Sequence, residues 1–166
     1  MANSLSGRFI PKNPQKYAGN PNNVMFRSSW ELRVMQFFDT SASVIKWASE
    51  EVKIPYVSPL DGLVHNYYPD FIVIYTDKAG NIQKDLVEVK PASQSLAEKA
   101  KSDRDKAALL VNLAKWKFAE QWAKQRGMNF RVITENSIFK QKDKKVKAPT
   151  APKSTRKTNK TRPTSK

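Results

Sequence analysis

The stretch PDFIVIYTDKAGNIQKDLVEVK, residues 69–90, decides the fold of this chain. Two runs rich in Val, Ile and Phe flank the polar turn DKAGN, residues 77–81. Branched residues favour strands, and Gly and Asn accept the backbone angles of tight loops. The pattern therefore predicts an antiparallel hairpin with strands over 70–75 and 82–90. Pro91 ends the second strand, since proline cannot donate to a sheet ladder.

The register of this hairpin predicts that Asp70 lies directly across from Glu88. With the turn as the loop, Thr76 pairs with Ile82, and counting outward joins the two acids. Lys90 is two residues beyond Glu88 and therefore lies on the same face. Opposed side chains have Cβ atoms roughly 4.5–5.5 Å apart, so the two carboxylates repel each other. A bulge or a one-residue slip would instead turn Asp70 to the opposite face.

Asp70, Glu88 and Lys90 are charged residues on otherwise apolar strands, and together they have the chemistry of a catalytic metal site. Two converging carboxylates can hold a divalent cation against a phosphate oxygen. A nearby ammonium can orient the attacking water and offset developing charge. A helix predicted over 24–38 supplies a third acid. The three acids are the predicted metal ligands, and the full predicted catalytic set is Glu31, Asp70, Glu88 and Lys90.

The composition limits the kind of metal site that this chain can build. It has no cysteine and one histidine, His65, which excludes disulfides, a thiolate zinc site and a cysteine nucleophile. Oxygen ligands remain, and these favour Mg²⁺, with Mn²⁺ as a substitute. His65 lies in a predicted strand, and we interpret it as decorating a hairpin face rather than contacting phosphate.

The net charge of +15 is concentrated at the C-terminus. Residues 140–166 hold 11 Lys or Arg and one acid, a net of +10, which leaves +5 for residues 1–139. Such an excess favours a polyanionic partner, and DNA is the first candidate. A membrane partner is not expected, because the tail lacks the apolar residues of an interfacial helix. The start of the chain carries no secretion signal, so a cytoplasmic location is expected.

Residue patterns divide the chain into three parts. Residues 1–23 are predicted to form an extended N-terminal arm, 24–139 a folded domain, and 140–166 a disordered basic tail without aromatic residues. The other predicted elements are a helix from an Asn22 or Asn23 cap to Phe38, strands over 52–57, 63–68 and 130–134, and a helix over 102–126. The order α-β-β-β-β-α-β predicts an α/β domain with a mixed sheet flanked by helices.

These residues resemble a known nuclease motif. Asp70, followed after 17 residues by Glu88-Val89-Lys90, resembles the signature of the PD-(D/E)xK nucleases, and Pro69 matches its first letter. Arg27-Ser28-Ser29-Trp30-Glu31 resembles the first acidic element of their TnsA-like branch. The order of several flanking segments is similar to the head completion nucleases of T-even-type tailed phages. Those segments are residues 11–17, 50–52, 54–56 and 90–91, and the similarity runs from about Phe9 to Glu135.

The resemblance implies a fold, a reaction and a setting. The fold would be restriction-endonuclease-like, and the reaction would be Mg²⁺-dependent hydrolysis of DNA phosphodiesters. Such a protein acts late in phage head maturation, near the packaged DNA end, with portal, neck and other head completion proteins as partners. Its location would be the host cytoplasm during assembly and the head or neck of the virion. By matching positions, Asp70, Glu88 and Lys90 carry the core motif and Glu31 the helix acid.

Alternatives remain at the level of the sequence. The chain could be a structural DNA-end-binding head or neck protein that does not use catalysis. It could also be a nuclease of another system, such as a transposon end-cutting subunit or a restriction enzyme. For Glu31, the alternative is an exposed helix acid that pairs with Arg27, four residues away. For the tail, the alternative is a solubilising extension.

Deleting residues 140–166 is expected to leave the domain folded, since their composition cannot build a core. DNA affinity should fall. The slope of the logarithm of the binding constant against the logarithm of the salt concentration should become shallower. The expected change is about 0.9 for each phosphate that the tail no longer neutralises. Titrations at several salt concentrations measure this, with circular dichroism as the control for folding. An unchanged slope would show that the tail serves a protein partner instead.

Overall fold

The predicted hairpin lies at the centre of a four-stranded sheet in the computed structural model, which describes residues 5–139. The helices and strands of this range, in chain order, are β1 Gly7–Phe9, β2 Val24–Phe26, α1 Ser29–Thr40, β3 Val44–Ser49, β4 Ile54–Val57, β5 Val64–Tyr67, β6 Phe71–Thr76, β7 Ile82–Val89, α2 Asp103–Gln125, β8 Asn129–Ile133 and α3 Glu135–Phe139. None of the helices in the described range is long and apolar enough to cross a membrane.

The central sheet has the strand order β3-β6-β7-β8. Strands β6 and β7 are antiparallel, and Phe71 pairs with Val87 and Thr76 with Ile82. This is the predicted register. β3 joins β6 in an antiparallel pair, whereas β8 joins β7 in a parallel pair. The predicted α/β domain with a mixed sheet flanked by helices is therefore confirmed.

The two faces of the sheet pack against different helices. Phe71 and Val73 belong to a core cluster with residues of α1, whereas Leu86 packs with Ala119 of α2. Burying such apolar side chains contributes roughly 1.5–3 kcal/mol each, so the sheet is held from both faces. Because side chains alternate along a strand, Glu88 shares the α2 face with Leu86.

The helix predicted over 24–38 is wrong at its start. Val24–Phe26 forms β2 and pairs with β1, because Val and Phe favour strands once a partner strand is available. The helix that follows is capped by Ser28, whose hydroxyl accepts a hydrogen bond from the Glu31 amide at 3.1 Å. The predicted asparagine caps at 22–23 are therefore also wrong.

Strand β3 is not predicted by the spacing of apolar residues. Its pairing with β6 is irregular between Val44 and Lys46, and the neighbours Trp47 and Ala48 are both buried. A bulge of this kind interrupts the alternation on which strand prediction depends.

The long helix α2 agrees with its predicted start and stop signals. The Ser102 hydroxyl accepts a hydrogen bond from the Asp105 amide at 3.1 Å, as an N-cap does. Gly127 follows the helix with a φ of +65°, a conformation that glycine adopts without a steric penalty.

The end of β7 is tied to the C-terminal elements. The Lys90 amide donates a hydrogen bond to the Ile133 carbonyl at 2.9 Å. Two residues on, the Ala92 amide donates to the Glu135 carboxylate at 2.9 Å. Strand β8 and the start of α3 therefore support the backbone at Lys90.

The prediction that residues 1–23 form an extended arm is wrong for residues 5–23, the part that the structure describes. Phe9 and Tyr17 are buried and contact the Trp47 ring edge to face, with ring centroids 5.9 and 4.8 Å apart. Residues from position 5 onward therefore belong to the domain, through contacts distant in sequence. The predicted tail, 140–166, lies outside the described residues.

Asp39 anchors this N-terminal segment. Its carboxylate, which is 1% exposed, accepts hydrogen bonds from the amides of Lys12 at 2.8 Å and Asn13 at 3.1 Å. Asp39→Ala should lower the free energy of unfolding by about 1–3 kcal/mol, because it leaves partly buried amides without acceptors. Urea titration measures the change, and Glu120→Ala on the exposed side of α2 is the control. A loss no larger than in the control would contradict this role of Asp39.

Candidate active site

Asp70 is held at the end of the central hairpin by its own hydrogen bonds. It precedes β6 by one residue, and its Oδ2 accepts a hydrogen bond from the Val89 amide at 2.7 Å. Its carbonyl accepts a hydrogen bond from the Glu50 amide at 3.1 Å. Pro69, just before it, is fully buried. The Asp70 carboxylate is therefore fixed beside β7, where Glu88 lies.

Glu88 is a buried carboxylate with two partners. Its side chain is 2% exposed; Oε1 lies 3.0 Å from the Lys90 Nζ, and Oε2 accepts a hydrogen bond from the Tyr67 hydroxyl at 2.6 Å. Burial and the charge of Glu88 raise the pKa of Tyr67, so the phenol stays protonated and donates. The sequence prediction misses Tyr67, and β5 offers no alternation that would reveal it, because the other three residues of this strand are exposed.

The pKa values of Asp70 and Lys90 are both raised, but for different reasons. Burial, followed by the charge of Glu88, raises the pKa of Asp70 well above its usual range; the Val89 amide and the Lys90 ammonium oppose this. Burial lowers the pKa of Lys90, but the charge and hydrogen bond of Glu88 outweigh it, and the pKa is raised. Lys90 is therefore a permanent cation between carboxylates that repel each other.

Glu31 does not join the other three predicted residues in direct contact. Its Oε1 accepts a hydrogen bond from the Ser28 hydroxyl at 3.0 Å, and its Oε2 accepts one from the Arg27 amide at 2.9 Å. Glu31 thus closes a variant of the capping box at the start of α1, in which its carboxylate binds the Arg27 amide instead of the amide of the N-cap Ser28. Its charge still acts on Asp70 and Lys90. The role of Glu31 in metal binding stays a prediction.

Arg27 and Glu50 form an ion pair close to this carboxylate. Arg27 Nε and Nη2 lie 2.9 and 3.1 Å from the two Glu50 carboxylate oxygens. The alternative pairing of the Arg27 side chain with Glu31 is therefore wrong. Glu50 has a φ of +55°, which costs a non-glycine residue of order 1–3 kcal/mol. The sequence contains no signal for this pair, because it depends on backbone strain and on contact between distant segments.

Other acids and the histidine have structural partners. Asp85 is 1% exposed and lies 3.0 Å from Arg131 Nη1, and it accepts hydrogen bonds from Asn129 and Tyr75. His65 is partly exposed and lies 2.8 Å from the Asp61 carboxylate, which agrees with its interpretation as a hairpin residue. Asp85 is paired with a cation, whereas Asp70 and Glu88 are two like charges that face each other.

This pair fits a divalent cation by its chemistry. Carboxylates are the oxygen ligands that Mg²⁺ and Mn²⁺ prefer, and burial and the charge of Glu88 raise the pKa of Asp70, which a bound cation would oppose. Within residues 5–139, no three acid, His or Cys side chains lie close enough to hold a metal ion together. Asp70 and Glu88 thus fit a divalent cation by the chemistry of their oxygens, whereas Glu31 would first have to leave its bonds to Ser28 and Arg27.

The raised pKa of Asp70 predicts how stability depends on pH. Below its unfolded-state pKa of about 4 the carboxyl is protonated in both states. As the pH rises through the raised folded-state pKa, the native protein loses stability, because it must ionise a half-buried carboxyl beside Glu88. Asp70→Asn should therefore be more stable than the parent at neutral pH, and the difference should shrink as the pH falls.

Thermal or urea unfolding of both proteins between pH 4 and 8 measures this difference. Asp103→Asn, at an exposed position in the first turn of α2, is the control. If Asp70→Asn is less stable than the parent at neutral pH, Asp70 and Glu88 do not repel each other in the folded protein.

Comparison with known proteins agrees with this geometry. The chain is similar to the head completion nuclease of Enterobacteria phage T4, with 33% identity over 145 residues, which cover 81% of this chain and 94% of that protein. The sequence model of the family described as "TnsA-like endonuclease N terminal" matches residues 41–135. That range contains Asp70, Glu88 and Lys90 and begins after Glu31. The chain therefore belongs to the TnsA-like endonuclease family of DNA-hydrolysing enzymes.

Proposed function

We propose that this chain is a Mg²⁺-dependent DNA endonuclease that acts in phage head completion, where it cuts or trims DNA near the portal. The observation that carries the proposal is the convergence of Asp70, Glu88 and Lys90 on one face of the central hairpin. The similarity to a phage T4 protein named as a head completion nuclease supports the setting. Portal and neck proteins are the proposed partners, and the host cytoplasm and the virion head or neck are the proposed locations.

Asp70 and Glu88 are the residues that would hold the metal ion, with Glu31 as the candidate third ligand. When bound, Mg²⁺ supplies Lewis-acid polarisation of a phosphate oxygen and lowers the pKa of water. The protein keeps both carboxylates in place beforehand. The Val89 amide orients Asp70, and the Tyr67 hydroxyl orients Glu88. Tyr67 is a positioning residue in this mechanism, because it acts through Glu88.

Lys90 supplies a fixed positive charge to the reaction. Its raised pKa means that it stays protonated at neutral pH, so it donates hydrogen bonds and does not accept a proton from water. From its place beside Glu88 it can orient the attacking water and stabilise the negative charge that develops on the phosphate. The side chain is 29% exposed, so substrate can reach it.

The charge of the chain supports DNA as the substrate. Of the net +15, a charge of +10 lies in residues 140–166 and +5 in the rest. Lysine and arginine side chains bind the phosphate backbone without reading its sequence. This suits an enzyme that acts on DNA by its position rather than by base recognition.

Lys90→Ala tests the proposed chemistry. It removes the cation but leaves the Asp70 and Glu88 carboxylates, so DNA should still bind in Ca²⁺. Cleavage in Mg²⁺ should fall on the order of 10²–10³-fold, the usual effect of losing one charged transition-state interaction. Lys84→Ala, on the same strand but exposed, is the matched control. Asp70→Ala should lose metal binding as well as cleavage.

Two outcomes would contradict the proposal. One is robust cleavage by the parent protein in excess EDTA. The other is a Lys90→Ala protein that cleaves as fast as the Lys84→Ala control. In phage, heads that carry Lys90→Ala and mature at normal yield would show that the chain serves head completion as a structural protein.

A further inference from the structure

Lys115, near the middle of α2, is a second cation directed toward the catalytic face of the sheet. Its Nζ lies 5.6 Å from the ring centroid of Tyr56 and 5.8 Å from that of Tyr67. A lysine ammonium within about 6 Å of an aromatic ring is attracted by the ring's electron density. The two rings thus hold the ammonium in one place, although lysine side chains on a helix are usually free to move.

That place is next to the catalytic carboxylates. The Tyr67 ring that Lys115 contacts carries the hydroxyl that donates to Glu88 at 2.6 Å. The charges of Lys90, Glu88 and Asp70 all act on the Lys115 ammonium. Lys90, just after β7, and Lys115, on α2, therefore act on the same carboxylate pair from two different parts of the fold.

Within residues 5–139, Lys115 has no carboxylate partner, in contrast to three other cations of the domain. Arg27 pairs with Glu50, Arg131 with Asp85 and Lys90 with Glu88. Among the described residues, no carboxylate lies within ion-pair distance of the Lys115 ammonium.

The environment of Lys115 is unfavourable for a cation in the free protein. The side chain is partly buried, and burial, followed by repulsion from Lys90, lowers its pKa. A partly desolvated ammonium held beside a second cation gains most from an anion that binds both. Because the site is that of a DNA-hydrolysing family, a phosphate group is the anion that this arrangement fits.

We propose that Lys115 binds a non-bridging oxygen of a phosphate in the DNA strand being cut, at or next to the scissile phosphate. This inference rests on the proposed function, because it assigns a substrate contact in the same site. Tyr56 and Tyr67 position the ammonium, and Lys115 contacts the strand beside the Glu88–Lys90 pair. Lys90 and Lys115 would thus bind the same strand close to the carboxylates.

The test compares Lys115→Met with Lys115→Arg and with a control, Lys117→Met, two residues away at an exposed position of the same helix. Binding to linear duplex DNA is measured in Ca²⁺ at several salt concentrations, and cleavage is measured in Mg²⁺. Lys115→Met should weaken binding and reduce the logarithmic salt slope by about 0.9, the value for one neutralised phosphate. Its kcat/KM should fall on the order of 10- to 100-fold, and Lys115→Arg should retain the slope.

The outcomes separate this inference from the proposed function. If Lys115→Met matches Lys117→Met in salt slope and in cleavage, Lys115 does not bind phosphate, while Mg²⁺-dependent cleavage by the parent still supports the nuclease. If the parent never cleaves but Lys115→Met shows the reduced salt slope, the phosphate contact stands and the nuclease proposal fails. If circular dichroism shows that Lys115→Met does not fold, Lys115→Gln takes its place, because it removes the same charge but keeps a polar side chain. The salt slope of Lys115→Gln then decides the result.

Discussion

The hydrogen bond from the Val89 amide to the Asp70 carboxylate is the interaction on which the site depends. It joins the two strands just past Phe71 and Val87, the last residue pair of the β6–β7 ladder. This hydrogen bond holds the Asp70 carboxylate near Glu88, although the two negative charges repel each other. The packing of α1 and α2 on the two faces of the sheet holds the hairpin rigid, so the repulsion is retained rather than relaxed. A site of this kind stores an unfavourable interaction that a cation or a phosphate-bound cation can relieve.

Local patterns predict the parts of this fold that local chemistry determines. The hairpin register follows from the turn at 77–81, and the start of α2 follows from the Ser102 cap. The capping role of Glu31 could also be read from the sequence, since Ser28 and Glu31 have the spacing of a capping box. A hydrogen-bonded cap and a metal ligand use the same carboxylate oxygens, and sequence spacing does not choose between them.

The features that the sequence does not predict depend on distant contacts. The N-terminal segment belongs to the domain because Phe9 and Tyr17 pack on Trp47, a residue of an irregular strand. Tyr67 reaches Glu88 only because β5 is placed beside the end of β7. The difference between Asp85 and Asp70, both acids at the central hairpin, also appears only when partners are known. Arg131 neutralises the first, whereas the second faces another acid.

The parallel pairing of β7 and β8 has a consequence for where the basic C-terminal residues start. Parallel strands run in the same direction, so β8 ends at the same edge of the sheet as Glu88 and Lys90, and the Glu135 carboxylate binds the amide two residues after Lys90. The chain passes from there through α3 to residue 140. Residues 140–166, which hold eleven Lys or Arg, therefore follow this edge in the sequence after one short helix. Cations joined to the domain this close in sequence to the carboxylates would, on binding DNA, raise its local concentration there without adding a contact to the reacting phosphate.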